Sequence, residues 1–286
     1  YSSVDDTDTG IFLPGSDVFA VTTGGSERVR VDSSGRFIVG HTATSGKDAT
    51  LQIAGGGGDT VDFARYAASA YGPNLHFLKS RNGTVGSHTI VQDGDALGII
   101  NFRGSDGGSF DTAAEISGEV DGTPGSGDMP GRLVFKTTAD GASSATERLR
   151  ITKTGGFNFS NGELIENANV TAGKLSDNLT INLDNGMVHL FTTAESTTAV
   201  PNIMSTAGIN TSMSNGDAIT VTLITTANAA AYCDNIQIDG AAVTENWIGG
   251  SAPSGGGSSG VDVHTFTIIK TASETFTVLG NQSKTS

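Results

Sequence analysis

One segment occurs twice in this chain of 286 residues, as Glu27-Arg-Val-Arg-Val-Asp-Ser-Ser-Gly35 and again as Glu147-Arg-Leu-Arg-Ile-Thr-Lys-Thr-Gly155. Each copy reads as a β-strand closed by a glycine turn, with a second short run after it, Phe37-Ile-Val39 in one case and Phe157-Asn-Phe159 in the other. A unit of this size cannot bury its apolar face by itself. A chain that reuses it must therefore stack the copies or complete them with other chains.

Composition sharpens that constraint. Only 36% of residues are hydrophobic and 6% aromatic, while glycine reaches 40, about twice the roughly 7% of average usage. Ordering each residue costs roughly 1–2 kcal/mol of backbone entropy, which so sparse a core offsets poorly in a compact monomer. The apolar residues still fall into β-like runs, unlike those of a disordered chain. Burial completed by further copies of the chain is the consistent expectation.

The formal charge is −14, from 16 basic and 30 acidic residues, and no Lys/Arg cluster is present. That argues against nucleic acid or an anionic membrane as partner. No run of about 18 apolar residues indicates membrane insertion, and Tyr1-Ser-Ser-Val-Asp-Asp-Thr-Asp lacks the basic and apolar regions of a signal peptide. The one cysteine, Cys233, rules out an intrachain disulfide and suits assembly in a reducing cytoplasm. With no His or basic residue near it in sequence, it reads as a small buried hydrophobe.

Short apolar runs broken by Gly, Pro and Asp continue along the chain. Four regions emerge: a β-meander module over residues 1–40, a β-rich shaft module over 41–160, an extended polar neck over 161–180, and a C-terminal β-sandwich over 181–286. Within the shaft, residues 61–71 have the makings of a helical turn, and 75–78 of a strand. In the last region Ile181-Asn-Leu183 and Met187-Val-His-Leu-Phe191 flank Asn185-Gly186, a strong hairpin signal. Ile219, Val221 and Leu223 alternate with threonines, Asp239-Gly240 follows Ile236-Gln-Ile238, and residues 261–269 and 276–279 supply the last strands. About six or seven strands fit a sandwich or jelly roll, with the Gly/Ser-rich residues 249–260 as an exposed loop.

Several segments carry a resemblance to a known family. Asp8-Thr-Gly-Ile-Phe-Leu-Pro-Gly15 leading into the first repeat resembles the N-terminal part of bacteriophage tail-fibre repeats. Gly72-Pro-Asn-Leu-His-Phe-Leu-Lys-Ser80, Asp93-Gly-Asp-Ala-Leu-Gly-Ile-Ile-Asn-Phe-Arg-Gly-Ser-Asp-Gly107 and Gly131-Arg-Leu-Val-Phe-Lys-Thr-Thr138 resemble the stretch that precedes a self-cleaving chaperone domain in phage fibres. The likeness covers about the first 160 residues. Beyond it the chain departs: in place of a chaperone with a Ser nucleophile and Lys base, segments such as Asp239-Gly-Ala-Ala-Val-Thr-Glu-Asn-Trp-Ile-Gly-Gly250 are similar to C-terminal domains of structural proteins in marine phages, those of cyanobacteria in particular.

The resemblance implies an elongated homotrimeric virion appendage, assembled in the host cytoplasm, whose partners are copies of itself, other virion proteins and a host surface glycan or protein. The expected fold is all-β: an intertwined trimeric β-meander or β-prism shaft followed by the C-terminal sandwich. Apolar strand positions such as Leu97, Ile99, Leu133 and Phe135 would be shared between subunits. The rivals are a capsid-attached fibre or decoration protein without receptor contact, and a tailspike glycan depolymerase.

Candidate sites are few. Asp6, Asp8, Gly10 and Asp17 imitate a calcium loop but lack its third acidic position and distal Glu. Asp93 with Asp95, and Glu115 with Glu119 on one strand face, are the carboxylate pairs that glycoside cleavage would need, without an aromatic platform nearby. The five histidines, 41, 76, 88, 189 and 264, have no metal-ligand spacing, although His189 and His264 can approach across strands. Ala54-Gly-Gly-Gly-Gly-Asp59 lacks the Lys-Ser/Thr ending of a phosphate loop. No catalytic residue, metal ligand or cofactor is therefore expected. For receptor binding, the aromatic candidates are Trp247, beside the Gly/Ser-rich loop, and Tyr232.

Overall fold

A computed structural model describes residues 5–45, 48–56 and 60–285. The chain divides into two compact units, Tyr1–Glu163 and Leu164–Ser286. It is nearly all β, with one short helical turn, α1 (Ile209–Ser212), and brief 3-10 turns among the described residues. None of its helices is long and apolar enough to cross a membrane.

The first unit holds two five-stranded sheets, each laid down in chain order. One contains β1 (Gly10–Gly15), β2 (Val18–Thr23), β3 (Ser26–Val31), β4 (Phe37–Val39) and β5 (Leu51–Ile53), antiparallel except for the last pair. The other contains β6 (Ala96–Ser105), β7 (Phe110–Val120), β8 (Gly131–Thr137), β9 (Thr146–Ile151) and β10 (Phe157–Phe159), antiparallel throughout.

The repeated segment forms β3 and β9, and the two copies share one bulge and the same two side-chain pairs. In both, one arginine drops out of the ladder: Glu27 pairs Thr22 and Val29 pairs Val21, while Glu147 pairs Lys136 and Leu149 pairs Phe135, leaving Arg28 and Arg148 as bulges. A bulge shifts the strand's alternation by one residue, so positions three apart share a face. Glu27 then takes both Nε and Nη2 of Arg30, at 2.5 and 2.9 Å, and Glu147 does the same with Arg150, at 2.6 Å each. Each bulged arginine sends Nε to a threonine across the strand, Arg28 to Thr23 and Arg148 to Thr137. Gly35 and Gly155 close the turns at φ 77° and 83°, a conformation that favours glycine.

Register sorts the side chains of each sheet onto two unlike faces. On the second sheet, Ile100, Ile116, Phe135, Leu149 and Phe159 stand opposite one another across all five strands, beside the row Gly98, Gly118, Leu133, Ile151 and Phe157. The reverse face carries Glu115, Glu119, Arg132, Lys136, Glu147 and Arg150, with Val134 and Ser117 buried among them. Ile99, expected on the apolar side, pairs with Ser117 and so lies on this charged face; Ile100 takes its place. The first sheet repeats the pattern with Ile11, Val21, Val29, Val39 and Ile53 beside Phe19, Val31, Phe37 and Leu51. Ile11, Phe19, Phe37, Ile100, Leu133 and Phe157 are all exposed within the chain, Phe157 by 67%.

No helical turn forms in residues 61–71, and 75–78 make no strand. Instead Phe77 covers the backbone of Gly98 so closely that a Cβ there would lie 2.5 Å from its own.

In the second unit the strands are β11 (Asn169–Thr171), β12 (Thr180–Asn182), β13 (Val188–Ala194), β14 (Asn202–Met204), β15 (Ala218–Thr226), β16 (Gln237–Ile238), β17 (Ala241–Ala242), β18 (Glu245–Trp247), β19 (Val261–Ala272) and β20 (Thr275–Lys284). They form a six-stranded sheet, β11-β13-β15-β19-β20-β18, and a four-stranded one, β12-β14-β16-β17. From β11 to β16 the chain alternates between the sheets, and each strand pairs in parallel with the next one of its own sheet. The path is a coil of three rungs, closed by the antiparallel β15, β19 and β20.

Two expectations are corrected here. Residues 180–182 and 188–194 belong to different sheets, so Asn185-Gly186 makes no hairpin: a 3-10 turn at Leu183–Asn185, fixed by Asn182 Oδ1 accepting from Asp184 N at 3.0 Å, carries the chain from one sheet to the other. Much of the expected neck at 161–180 is also part of this unit. Residues 169–171 form β11, Leu175 is fully buried, and the buried Glu195 carboxylate accepts from the amides of Leu175 and Ser176 at 2.6 and 3.2 Å.

The core lies between the two sheets. Ile181, Ile203 and Ile238 stack in register on the smaller sheet, facing Phe191, Val221, Leu223, Phe266, Ile268 and Val278 of the larger one. The Gly/Ser-rich loop is not wholly exposed: Gly257 is buried, and its amide donates to both oxygens of the buried Asp262.

Candidate functional site

The residues singled out from sequence are placed apart and occupied by structural work. Asp6 and Asp8 share a hydrogen bond that raises the Asp8 carboxyl and lowers that of Asp6. Asp17 sits in the turn beyond the far end of β1, roughly 17 Å along the strand. No group of three His, Cys, Asp or Glu side chains suited to a metal occurs among the described residues. Residues 57–59 of the glycine run lie outside the described residues.

Three of the four paired carboxylates are held by cations and the fourth, Asp93, by a backbone amide. Asp95 accepts Nε and Nη2 of Arg81 at 2.6 Å each, which holds its carboxyl well below the usual range, and Asp93 accepts the Gly122 amide at 2.7 Å. Glu115 and Glu119 do share a face, and Lys136 Nζ bridges them at 2.8 and 3.3 Å. Burial alone would raise the Glu119 carboxyl; hydrogen bonds from Ser117, Arg132 and Lys136 outweigh it and lower it.

His189 and His264 occupy one row of the six-stranded sheet with Leu223 between them, two strand spacings or about 10 Å apart. His189 is held as the neutral ring, its Nδ1 facing the Asn169 amide at 3.2 Å and its Nε2 the Gly186 carbonyl at 3.0 Å. His264 accepts the Cys233 amide on Nε2 at 3.4 Å, and its Nδ1 has no partner. Burial lowers its pKa to about 4, and pushes the Cys233 thiol far up. In the unfolded chain a histidine titrates near 6.5. Between these values the unfolded state binds the extra proton, so stability present above about pH 6.5 is lost as pH falls toward 4, by up to about 3 kcal/mol. Urea titrations from pH 7 to 4 followed by Trp247 fluorescence are expected to show this slope, and His264→Leu to flatten it.

Trp247 on β18 is half-buried, packed edge-on to Phe266 with ring centroids 5.9 Å apart and lying over Gly280. Tyr232 is likewise half-buried, on the segment between β15 and β16, where its carbonyl accepts from Ala199 N at 2.9 Å. The two are on separate elements.

What sequence reading missed is a cavity of about 660 Å3 in the second unit. Three loops wall it: residues 205–211 after β14, the β16–β17 turn, and the β19–β20 turn. Asp239 and Gly240, at φ 50° and 82°, make the tight turn that Asp-Gly favours. The Asp239 carboxylate accepts the amides of Ile209 and Asn210 at 2.9 Å each, Asn202 Oδ1 accepts Gly240 N at 2.7 Å, and Asn210 Oδ1 accepts Glu274 N at 2.8 Å. These bonds lock the three loops together before any ligand arrives.

No family model matches the chain, and no curated protein does. Solved structures similar to it include two of one bacteriophage fibre domain. The carboxy-terminal domain of the bacteriophage T5 L-shaped tail fibre aligns at 16% identity and TM-score 0.40, over 60% of this chain and 73% of that one. The same domain with its intramolecular chaperone aligns at 16% identity and TM-score 0.41, over 59% of this chain and 49% of that one. Superpositions this loose equate no residue of this chain with one of theirs.

Proposed function

We propose that the protein is a structural and adhesive component of a phage virion, a homotrimeric tail fibre whose Leu164–Ser286 unit contacts the host surface. The observation that carries the oligomer is the pair of apolar sheet faces in the first unit. Each runs across five strands, repeats the same arrangement, and is exposed within the chain while the opposite face is satisfied by its own ion pairs. Apolar faces of this extent mark interfaces. A face that each chain leaves exposed is covered when copies of the chain turn it toward a common rotation axis, and three copies close such an assembly.

Asp95, Glu115 and Glu119 are committed to Arg81, Lys136 and Arg132, which favours a structural and adhesive role over a depolymerase. Trp247 and Tyr232 belong to the adhesive reading as aromatic groups that keep part of their surface in solvent. Three copies of one weak site on a single tip raise avidity without a strong site. Sedimentation equilibrium is expected to give three times the 29.1 kDa chain mass, and the purified protein to adsorb to bacterial envelope fractions. A stable monomer at micromolar concentration contradicts the oligomer; release of reducing sugar from envelope polysaccharide would establish the depolymerase instead.

A further inference from the structure

We propose that the cavity walled by the 205–211 loop and the two turns at Asp239 and Glu274 is a binding site for a neutral oligosaccharide of two or three rings. The proposal deepens the adhesive reading, and rests on it for the biological source of the sugar but not for the chemistry of the site.

Three observations carry it. At about 660 Å3, the space is in the range of sites that hold compact ligands rather than single ions. Its walls mix two kinds of surface that a pyranose presents: Phe276, Val243 and Ala241 offer an apolar patch for the C–H face of a ring, and Glu274 and Thr211 offer acceptors and a donor for hydroxyls. No cationic side chain lines it. The one lysine close by, Lys270, is buried and turns its ammonium to the carbonyls of Asn210 and Met213. A phosphate, sulfate or sugar acid would meet carboxylates with no Arg or Lys to hold it, which excludes acidic glycans.

Glu274 marks the working edge. Its backbone is held at φ 55° by the Asn210 contact, an uncommon conformation for a residue with a side chain, and its carboxylate has no hydrogen bond or ion pair among the described residues. Asp239 is different: both of its oxygens are committed to the loop amides. The site thus combines a prearranged frame with one free, strong hydroxyl acceptor.

The test is an array of purified neutral di- and trisaccharides printed beside sialylated and sulfated counterparts, probed with the full-length protein. Wild type is expected to retain neutral sugars and no acidic ones. Glu274→Gly removes the carboxylate while easing the backbone, and Ala241→Arg fills the cavity; each is expected to weaken retention at least tenfold with an unchanged unfolding temperature. Retention that survives both substitutions, or a preference for acidic sugars, overturns the proposal. If the protein adsorbs to bacterial envelopes but retains no sugar on the array, the cavity assignment falls and adhesion stands. If it retains a neutral sugar but adsorbs to no envelope, adhesion falls and the cavity assignment stands.

Discussion

Leu133→Asp is expected to turn the assembled protein into monomers. Leu133 lies on β8, the middle strand of its sheet, 39% exposed within the chain and flanked in its row by Gly118 and Ile151. The folded single chain loses part of the apolar groove that Leu133 lines with Leu75 and Phe77, but the new carboxylate still reaches water there. In the assembly each copy would place an unpaired carboxylate against an apolar face, which costs several kcal/mol per group and has no nearby cation to offset it. The row of charges that includes Arg132 is on the other side of the sheet. Association should weaken by at least two orders of magnitude, read as a fall in sedimenting mass to that of one chain. Arg132→Ala, on the charged face, is the contrasting variant: it removes ion pairs to Glu119 and Asp121 yet should leave the mass unchanged. Equal loss of assembly in both would remove the assignment of the apolar face.

Ile203→Ala should destabilise the second unit by about 3 kcal/mol, within the range of roughly 2–5 kcal/mol found for such truncations. Ile203 is fully buried and pairs in register with both Ile181 and Ile238, so the cavity left behind is bounded by neighbours held in place by the parallel ladders. Measurement is simple because Trp247, the only tryptophan, packs on this core. Its fluorescence reports the unfolding of this unit, and the urea midpoint should fall without a change in slope. A shift below 1 kcal/mol would mean that the rungs collapse around the gap.

These two positions also show what was legible in the sequence. The alternation that places Leu133 and Phe135 on one face is plain from spacing, and so is the turn chemistry of Asp239-Gly240. The bulge at Arg28 and Arg148 is not, since it is a matter of how two strands align; only its outcome, the repeated Glu-Arg-x-Arg, is visible. A separate slip on β6, where Leu97 drops out between Ala96 and Gly98, is why Ile99 and Ile100 are easily exchanged when a face is assigned by counting. Asn185-Gly186 signals a change of direction but not whether the chain returns to its own sheet or crosses to another. The polar residues at 161–180 hid a strand because β11 needs only its backbone to pair, and Leu175 is a single apolar residue in a hydrophilic stretch. The cavity was invisible for a topological reason: its walls come from residues near 206, 240 and 274, joined by parallel rungs that no local pattern announces.

The repeated ion pair has a consequence for how such a chain can change in length. In each copy the glutamate is matched by an arginine three residues on, the bulged arginine by a threonine on the adjoining strand, and the turn by its own glycine. Each of the two Glu–Arg pairs lies within one strand and needs no partner from a distant part of the chain. Duplicating one copy of the segment therefore leaves the Glu–Arg pair of the other intact.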